Sequence, residues 1–351
     1  MIAELTAFVA AGGELGPDRI ARAVAALTDE ALAPEAKADF LVALARKGET
    51  PAEISGFAAE LRARAVPLPV PAAVRQAGVL DVVGTGGDRA GTLNLSTAAA
   101  LIAAAAGVHV AKHGNRAVTS KSGSADVLQA LGIPTELAPE QAATRLERHG
   151  FAFLFAPLYH PAFRAIAPAR KLCAERGERT LFNLLGPLLN PARPTYQLMG
   201  VPAPSWCEPL AWALQRLGVR RAMVVCGAAG SLQDGTPRYL DEVSPVGPTT
   251  VASFRDHRPV ETEIWLPEAF PLQAASLDDL RGGDATANAR QLRRILAGEE
   301  RGPQRDAVLL NAAAALLVAD RVSSMAEGWA RAVAVVDRGD ARRKLAELGG
   351  A

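Results

Sequence analysis

Residues 81–97, DVVGTGGDRAGTLNLST, bring Gly84, Gly86 and Gly87 together with Asp88, Thr92, Asn94, Ser96 and Thr97 at the exit of an apolar run. Glycines let a backbone approach an anion with its N–H groups turned inward, and polar side chains opening the next helix can donate to the same charge. The pattern is neither G-x-G-x-x-G nor G-x-x-x-x-G-K-[ST], so the dinucleotide and nucleoside-triphosphate fingerprints are absent. A second segment, KHGNRAVTSKSGSADVLQALG, gathers Lys112, His113, Asn115, Arg116 and Lys121 with four hydroxyls around Gly114 and Gly123. The whole chain carries 38 Lys plus Arg against 37 Asp plus Glu, a net charge of +1. No global field therefore recruits nucleic acid or an anionic membrane, and the basicity here is local.

A third segment, YLDEVSPVGPTT, sets Asp241 and Glu242 side by side after the strand-like run RAMVVC. Adjacent carboxylates near two phosphate-friendly loops suit Mg²⁺, which prefers oxygen ligands and is commonly shared with substrate phosphates. A surface turn is the plainer alternative. The fourth, HPAFRAIAPARKLCAERGERTLFNLLGPLLNPARP, carries Arg164, Arg170 and Arg179. One of these could meet a substrate carboxylate through a bidentate pair, or all could lie on the outer face of an amphipathic helix. No Ser/His/Asp or Cys/His order is legible, and His113 reads as a wall of the site or a satisfied core residue rather than a general base.

The elements that must position these residues follow from punctuation and periodicity. Residues 1 to about 66 read as short helices, with Pro34 and Pro51 in first-turn positions, Thr50 as a cap and Gly48 as a stop. Pro67, Pro69 and Pro71 mark a linker, which places a boundary between a helical domain over 1–70 and a domain over 73–351. Beyond it, strand-like runs (VLDVV, VHVA, FAFLFA, YQLMGV, RAMVVC) alternate with helix-like ones (STAAALIAAAAG, SADVLQALG, EQAATRLERHG, PLAWALQRLG). That alternation predicts an α/β architecture with a mostly parallel central sheet flanked by helices, and two loops at parallel strand ends obey the rule for ligand sites in open sheets. The tail from about Ser276 reads as helical. Cys173, Cys207 and Cys226 form no CxxC pair, so neither a zinc cluster nor a disulfide framework is suggested and a reducing cytoplasm fits. The longest apolar stretch, about Ala98 to Val108, is too short to span a bilayer, and Glu4 stands where a signal peptide wants positive charge.

Taken together, GTGGD, NLST, KHGNR…SGSADVLQALG, TLFNLLGPLLNP, LDEVSPVGPT and RDAVLLNAAAAL stand in an order that resembles the anthranilate phosphoribosyltransferases across almost the whole chain. The resemblance implies a small helical domain, completed by helices from about 160–190, on a larger nucleoside phosphorylase/phosphoribosyltransferase-like domain, and a homodimer joined through the helical domains. It implies the substrates 5-phosphoribosyl 1-diphosphate (PRPP) and anthranilate, with the phosphoribosyl group passing to the arylamine and diphosphate leaving, in tryptophan biosynthesis. Matched by motif, Gly84, Gly87, Asp88, Thr92, Asn94, Leu95, Ser96 and Thr97 would bind PRPP, as would Lys112, His113, Gly114, Asn115, Arg116, Ala117, Val118, Thr119, Ser120 and Ser124. Ser96, Asp241 and Glu242 would ligate two Mg²⁺ ions per active site. Gly84, Asn115 and Arg170 would contact anthranilate, with His113, Gly186 and Pro187 close by. The chain departs from many relatives in about three extra residues after Arg170, in Cys226 where a histidine often stands, and in a longer 227–240 segment before the acidic pair.

The resemblance implies substitution at ribose C1 without an enzyme nucleophile, consistent with the missing triad; positioning and electrostatics supply the acceleration. A pyrimidine nucleoside phosphorylase is the nearest rival enzyme, disfavoured by the intact KHGNR, NLST and acidic pair. A nucleic-acid-binding module built on the 112–121 loop is disfavoured by the near-neutral charge. The expected partners are therefore small molecules, with no nucleic acid and no membrane.

Overall fold

The computed structural model describes residues 1–88, 90–117, 121–232 and 234–349. Helices α1 (Ile2–Ala10), α2 (Pro17–Thr28), α3 (Pro34–Lys47) and α4 (Pro51–Ala63) form the small helical domain. Their ends follow local chemistry: Gly48 stops α3 at φ +87°, and Thr50 with Glu53 makes a reciprocal capping box on α4. Glu53 is fully buried and also accepts from Leu15 N at 2.9 Å and Lys47 Nζ at 2.7 Å, so one carboxylate ties α4 to the preceding loop and to the end of α3.

The chain continues through α5 (Ala72–Ala77), β1 (Val79–Gly84), α6 (Leu95–Ala105), β2 (His109–Gly114), α7 (Ser124–Ala130), α8 (Pro139–His149) and β3 (Phe151–Phe155). Next come α9 (Ala156–Tyr159), α10 (Phe163–Glu175), α11 (Phe182–Leu185), β4 (Tyr196–Gly200), α12 (Cys207–Arg216), β5 (Arg221–Ser231), β6 (Pro237–Leu240), β7 (Thr249–Arg255) and β8 (Glu261–Trp265). Helices α13 (Ala285–Leu296), α14 (Pro303–Val318), α15 (Met325–Asp337) and α16 (Asp340–Gly349) close the fold. The sheet order is β3-β2-β1-β4-β5-β7-β8, with β6 beside β5. The first five strands pair in parallel and the last three join antiparallel.

Successive residues of the parallel strands feed opposite cores, which is why the runs are apolar throughout. Leu80, Val82, Phe151 and Phe153 face one cluster with α6 and α14, while Ala111, Ala152 and Leu154 face another with α8. Ala222, Val224 and Cys226 join a third cluster that includes the helical domain and α12. Helix α10 packs on α2 and α3, and Lys37 Nζ donates across that contact to the carbonyls of Asp29 at 2.6 Å and Ala165 at 2.9 Å.

Two features differ from the sequence reading. The antiparallel edge of β6, β7 and β8 has no counterpart in the alternating pattern, because β6 is short, β8 is largely exposed and no helix separates the three strands. The 227–240 segment is largely a hairpin, with β5 running on to Ser231 and β6 returning from Pro237 around a register shift between Ala228 and Ser231. Strand β1 lies between β2 and β4, so the chain crosses from one half of the sheet to the other at its C-terminal end. The crevice this opens is where the glycine loop emerges.

Candidate active site

The acidic pair sits directly over the ends of β1 and β4. A Cβ on Gly84 would collide with Asp241 Oδ2, and one on Gly200 with the Asp241 carbonyl oxygen. Both strand ends therefore require glycine, and Gly200 is a site residue the sequence reading missed: its signal was only a glycine closing an apolar run. Asp241 Oδ2 accepts from Gly86 N at 2.7 Å, and Glu242 Oε1 accepts from Ser96 N at 3.0 Å. The open N-terminus of α6 is thus partly occupied by the protein's own carboxylate.

Charge is crowded here. Burial, then the neighbouring Asp88, pushes the Asp241 carboxyl up to about 7. Burial and then Asp241 raise Glu242 well above the ordinary carboxylate range. Lys112, 2% exposed, donates to Val82 O at 2.5 Å and to Ser96 Oγ at 3.4 Å; burial lowers its pKa against the opposing pull of Asp81, Glu242 and Asp241. Three clustered acids opposed by one buried lysine suit a divalent cation. Among the described residues no group of three or more His, Cys, Asp or Glu side chains is arranged to hold a metal alone. A cation here would share its coordination with phosphate oxygens, as Mg²⁺ commonly does.

The glycine loop is anchored at its far end by backbone bonds from Leu93 N to Leu280 O and from Gly282 N to Gly91 O, both 2.9 Å, and by the bridge from Thr92 to Arg281. Asp88 Oδ1 accepts from Ala90 N at 3.1 Å. Asn94 donates from Nδ2 to Ser122 O at 3.2 Å and accepts from Asn288 Nδ2 at 2.9 Å. It thereby cross-links the two anion loops. Leu95, the first residue of α6, is buried in the core, and Thr97, 1% exposed, has a hydroxyl with no partner among the described residues.

The second loop leaves β2 at Gly114, where a Cβ would run into Ser124 Oγ. Asp126 closes it: Oδ2 accepts from Ala117 N and Gly123 N, both at 2.9 Å, and Oδ1 from Arg116 Nη1 at 3.3 Å. Asn115 O receives Ala125 N at 3.2 Å and Ser124 Oγ at 3.3 Å. Val118, Thr119 and Ser120 lie outside the described residues.

On the third side, His113 and His160 meet edge to face at 5.1 Å, followed by Phe163 at 5.6 Å, Phe182 at 5.6 Å and the Arg170 guanidinium 5.6 Å above the Phe182 ring. Arg170 thus ends an aromatic path that begins at the β2 loop. Arg164, Arg170 and Arg179 are all exposed, but among the described residues no ring contact ties Arg164 or Arg179 to that path. None of the three forms an ion pair among the described residues. Burial holds His113 down near 3 and His160 near 4, so both rings are neutral near pH 7. An imidazole with that pKa does not deliver a proton near neutrality, in keeping with its reading as a wall.

Residues 3–65 match the helical bundle domain, and residues 76–342 the α/β domain, of a glycosyl transferase family. The anthranilate phosphoribosyltransferase of Rubrobacter xylanophilus is 46% identical over 345 residues, covering 98% of this chain and 96% of that one.

The chain belongs to the anthranilate phosphoribosyltransferase family.

Among solved members of the family, the enzyme of Thermus thermophilus superposes with a TM-score of 0.87 at 42% identity, covering 99% of this chain and 98% of its own. That of Saccharomyces cerevisiae, solved in complex with PRPP and Mg, gives a TM-score of 0.79 at 27% identity, covering 94% and 90%.

Proposed function

We infer that this protein is a pentosyltransferase that moves the phosphoribosyl group of PRPP onto the amine of anthranilate, giving N-(5-phosphoribosyl)anthranilate and diphosphate in tryptophan biosynthesis. The observation that carries this reading is the convergence of two glycine-bordered anion loops and a crowded acidic pair at the C-terminal ends of β1, β2 and β4, in a chain alike to the family over nearly its full length.

The glycine loop, with Gly84, Gly87, Asp88, Thr92, Asn94, Leu95, Ser96 and Thr97, and the segment from Lys112 to Ser120 with Ser124, hold the phosphates and ribose of PRPP. Ser96, Asp241 and Glu242 hold two Mg²⁺ ions; bound there, the metal supplies positive charge that stabilises the departing diphosphate. Lys112 adds a buried amine to the same side, its pKa lowered by burial and pulled back up by Asp81, Glu242 and Asp241. Arg170, Asn115 and Gly84 hold the acceptor, the guanidinium reading its carboxylate. The arylamine is neutral near pH 7 and needs no strong base before attack, so orientation of amine and C1 is the main task of these side chains.

Dimerisation through the helical domain is what the family resemblance implies; beside α1 and α3 lies an open groove of about 550 Å³ whose lining is apolar at Val9, Ala10, Val42 and Ala43 and charged at Asp39, Arg46 and Arg176. A cytoplasmic location is supported by three buried free cysteines, and no helix among the described residues is long and apolar enough to cross a membrane. The deciding measurement is the PRPP-dependent loss of anthranilate fluorescence with and without Mg²⁺; its absence with folded protein overturns the reading.

A further inference from the structure

The 3₁₀ turn Gly186–Leu189 and the following Asn190 are gripped by side chains from three other parts of the chain. Gln197 Nε2 on β4 donates to Pro187 O at 2.7 Å, and the rings of His113 on β2 and His160, after α9, lie beside the Gly186 and Leu189 backbone. Asn190 Nδ2 donates to Asp81 Oδ2 on β1 and to Ala111 O on β2, both at 2.8 Å, while its Oδ1 accepts from Ala192 N at 2.8 Å. Asp81 Oδ1 in turn accepts from His113 N at 3.3 Å.

Asp81 and Gln197 are direct partners in the β1–β4 ladder, and both are 0% exposed. The buried positions around them on this face of the sheet, Ala111, Met199, Ala222 and Val224, are apolar, and a buried amide or carboxyl costs free energy unless its bonds are made. The bonds they make go to the turn and to the His113 backbone, and Gln197 Oε1 makes none among the described residues. The Pro187 carbonyl receives the Gln197 amide, and no apolar side chain at position 197 could donate to it.

We propose that Gln197 and Asp81 are positioning residues for the acceptor: they fasten the turn that forms one wall of the acceptor site, and so set where the aromatic ring rests relative to ribose C1. The proposal rests on the assignment of Gly186 and Pro187 to the acceptor side under the function inferred above. Neither residue touches substrate; both act through the turn and through His113.

The test is steady-state kinetics of wild type and Gln197→Met, which keeps length and volume but removes the donor. A neutral hydrogen bond lost in this way corresponds to about a threefold to tenfold effect. The expected result is that rise in the anthranilate KM, an unchanged PRPP KM, and a changed preference between anthranilate and a ring-methylated analogue. Gln197→Glu supplies a second arm, decisive if Gln197→Met yields no folded protein. A buried carboxyl titrates upward, and only its protonated form can donate to Pro187 O. Its anthranilate KM, taken relative to wild type, should therefore approach one at about pH 5.5 and climb several-fold by about pH 8.5. An active wild type with Gln197→Met unchanged in anthranilate KM and acceptor preference, or a flat pH ratio for Gln197→Glu, overturns the positioning role alone. A wild type that turns over no anthranilate overturns the functional reading and this proposal with it.

Discussion

Replacing Asp126 by alanine should uncouple the PRPP loop while leaving the acceptor side intact. In the folded protein this carboxylate accepts from both Ala117 N and Gly123 N at 2.9 Å, so a single side chain staples the entry and exit of the loop. Charge-assisted bonds are worth about 1.5–3 kcal/mol each, and the low end applies because the carboxylate is partly wet. Its pair with Arg116, whose side chain is 43% exposed, adds little. The loss is then about 3 kcal/mol in the preference for the closed loop, or about two decades if PRPP binds only that form. The bonds from Ala125 N and Ser124 Oγ to Asn115 O survive and hold the base, so the PRPP KM should rise about tenfold to a hundredfold. Asp126→Asn keeps an acceptor oxygen and should cost about threefold. Initial rates at saturating anthranilate, followed by fluorescence with PRPP varied, measure this; circular dichroism checks the fold. A folded Asp126→Ala variant with a wild-type PRPP KM would refute the staple.

Asp241→Asn combined with Glu242→Gln should abolish most turnover and the Mg²⁺-induced rise in Tm while the apo protein melts no lower, since clustered charge is relieved; near-normal rates at limiting Mg²⁺ would sink the metal assignment. Gly87 sits at φ +82° with nothing within 4 Å of a Cβ, so Gly87→Val should cost about 1 kcal/mol through backbone strain and raise the PRPP KM by blocking approach; PRPP titration matching wild type would make the loop a mere turn. Arg170→Ala should raise the anthranilate KM about tenfold or more with the PRPP KM nearly unmoved, whereas Arg164→Ala and Arg179→Ala stay close to wild type; the reverse pattern would move the carboxylate contact to another arginine. His160 has its folded pKa near 4, below the ordinary value, because burial disfavours the charged ring, so its contribution is full above about pH 6.5 and is lost as pH falls toward 4. His160→Phe should therefore flatten the stability profile in that window by about 1.4 kcal/mol per pH unit, and parallel denaturation curves would contradict this.

Much of the architecture is written in short-range preferences. Pro34, Thr50, Pro51 and Gly48 set helix ends because φ restriction, a missing N–H and a side-chain cap act within one turn, and α3 and α4 begin and end as those residues dictate. The five parallel strands were legible because strands covered on both faces must be apolar throughout. The glycine loop, the basic loop and the acidic pair could be picked out as chemistry, since their residue types are costly anywhere else.

What the sequence could not contain is which of these meet. Asp241 bonds to Gly86, 155 positions away, and Glu242 to Ser96, 146 away. Those contacts exist because β4 inserts beside β1 while β6, paired to β5, delivers the 241–242 segment over both strand ends, and Gly200 reveals its purpose only there, where no Cβ fits beneath the Asp241 carbonyl. Asn94 also bonds to Ser122 and Asn288, contacts set by the approach of α13 that its spacing does not announce. The grip on the Gly186–Asn190 turn is likewise invisible in one dimension, because Asp81, His113, His160 and Gln197 share no spacing. Local backbone energetics decide where elements start and stop; only the packing of the sheet against its helices decides which buried polar groups must satisfy one another, and in this protein that pairing builds the site.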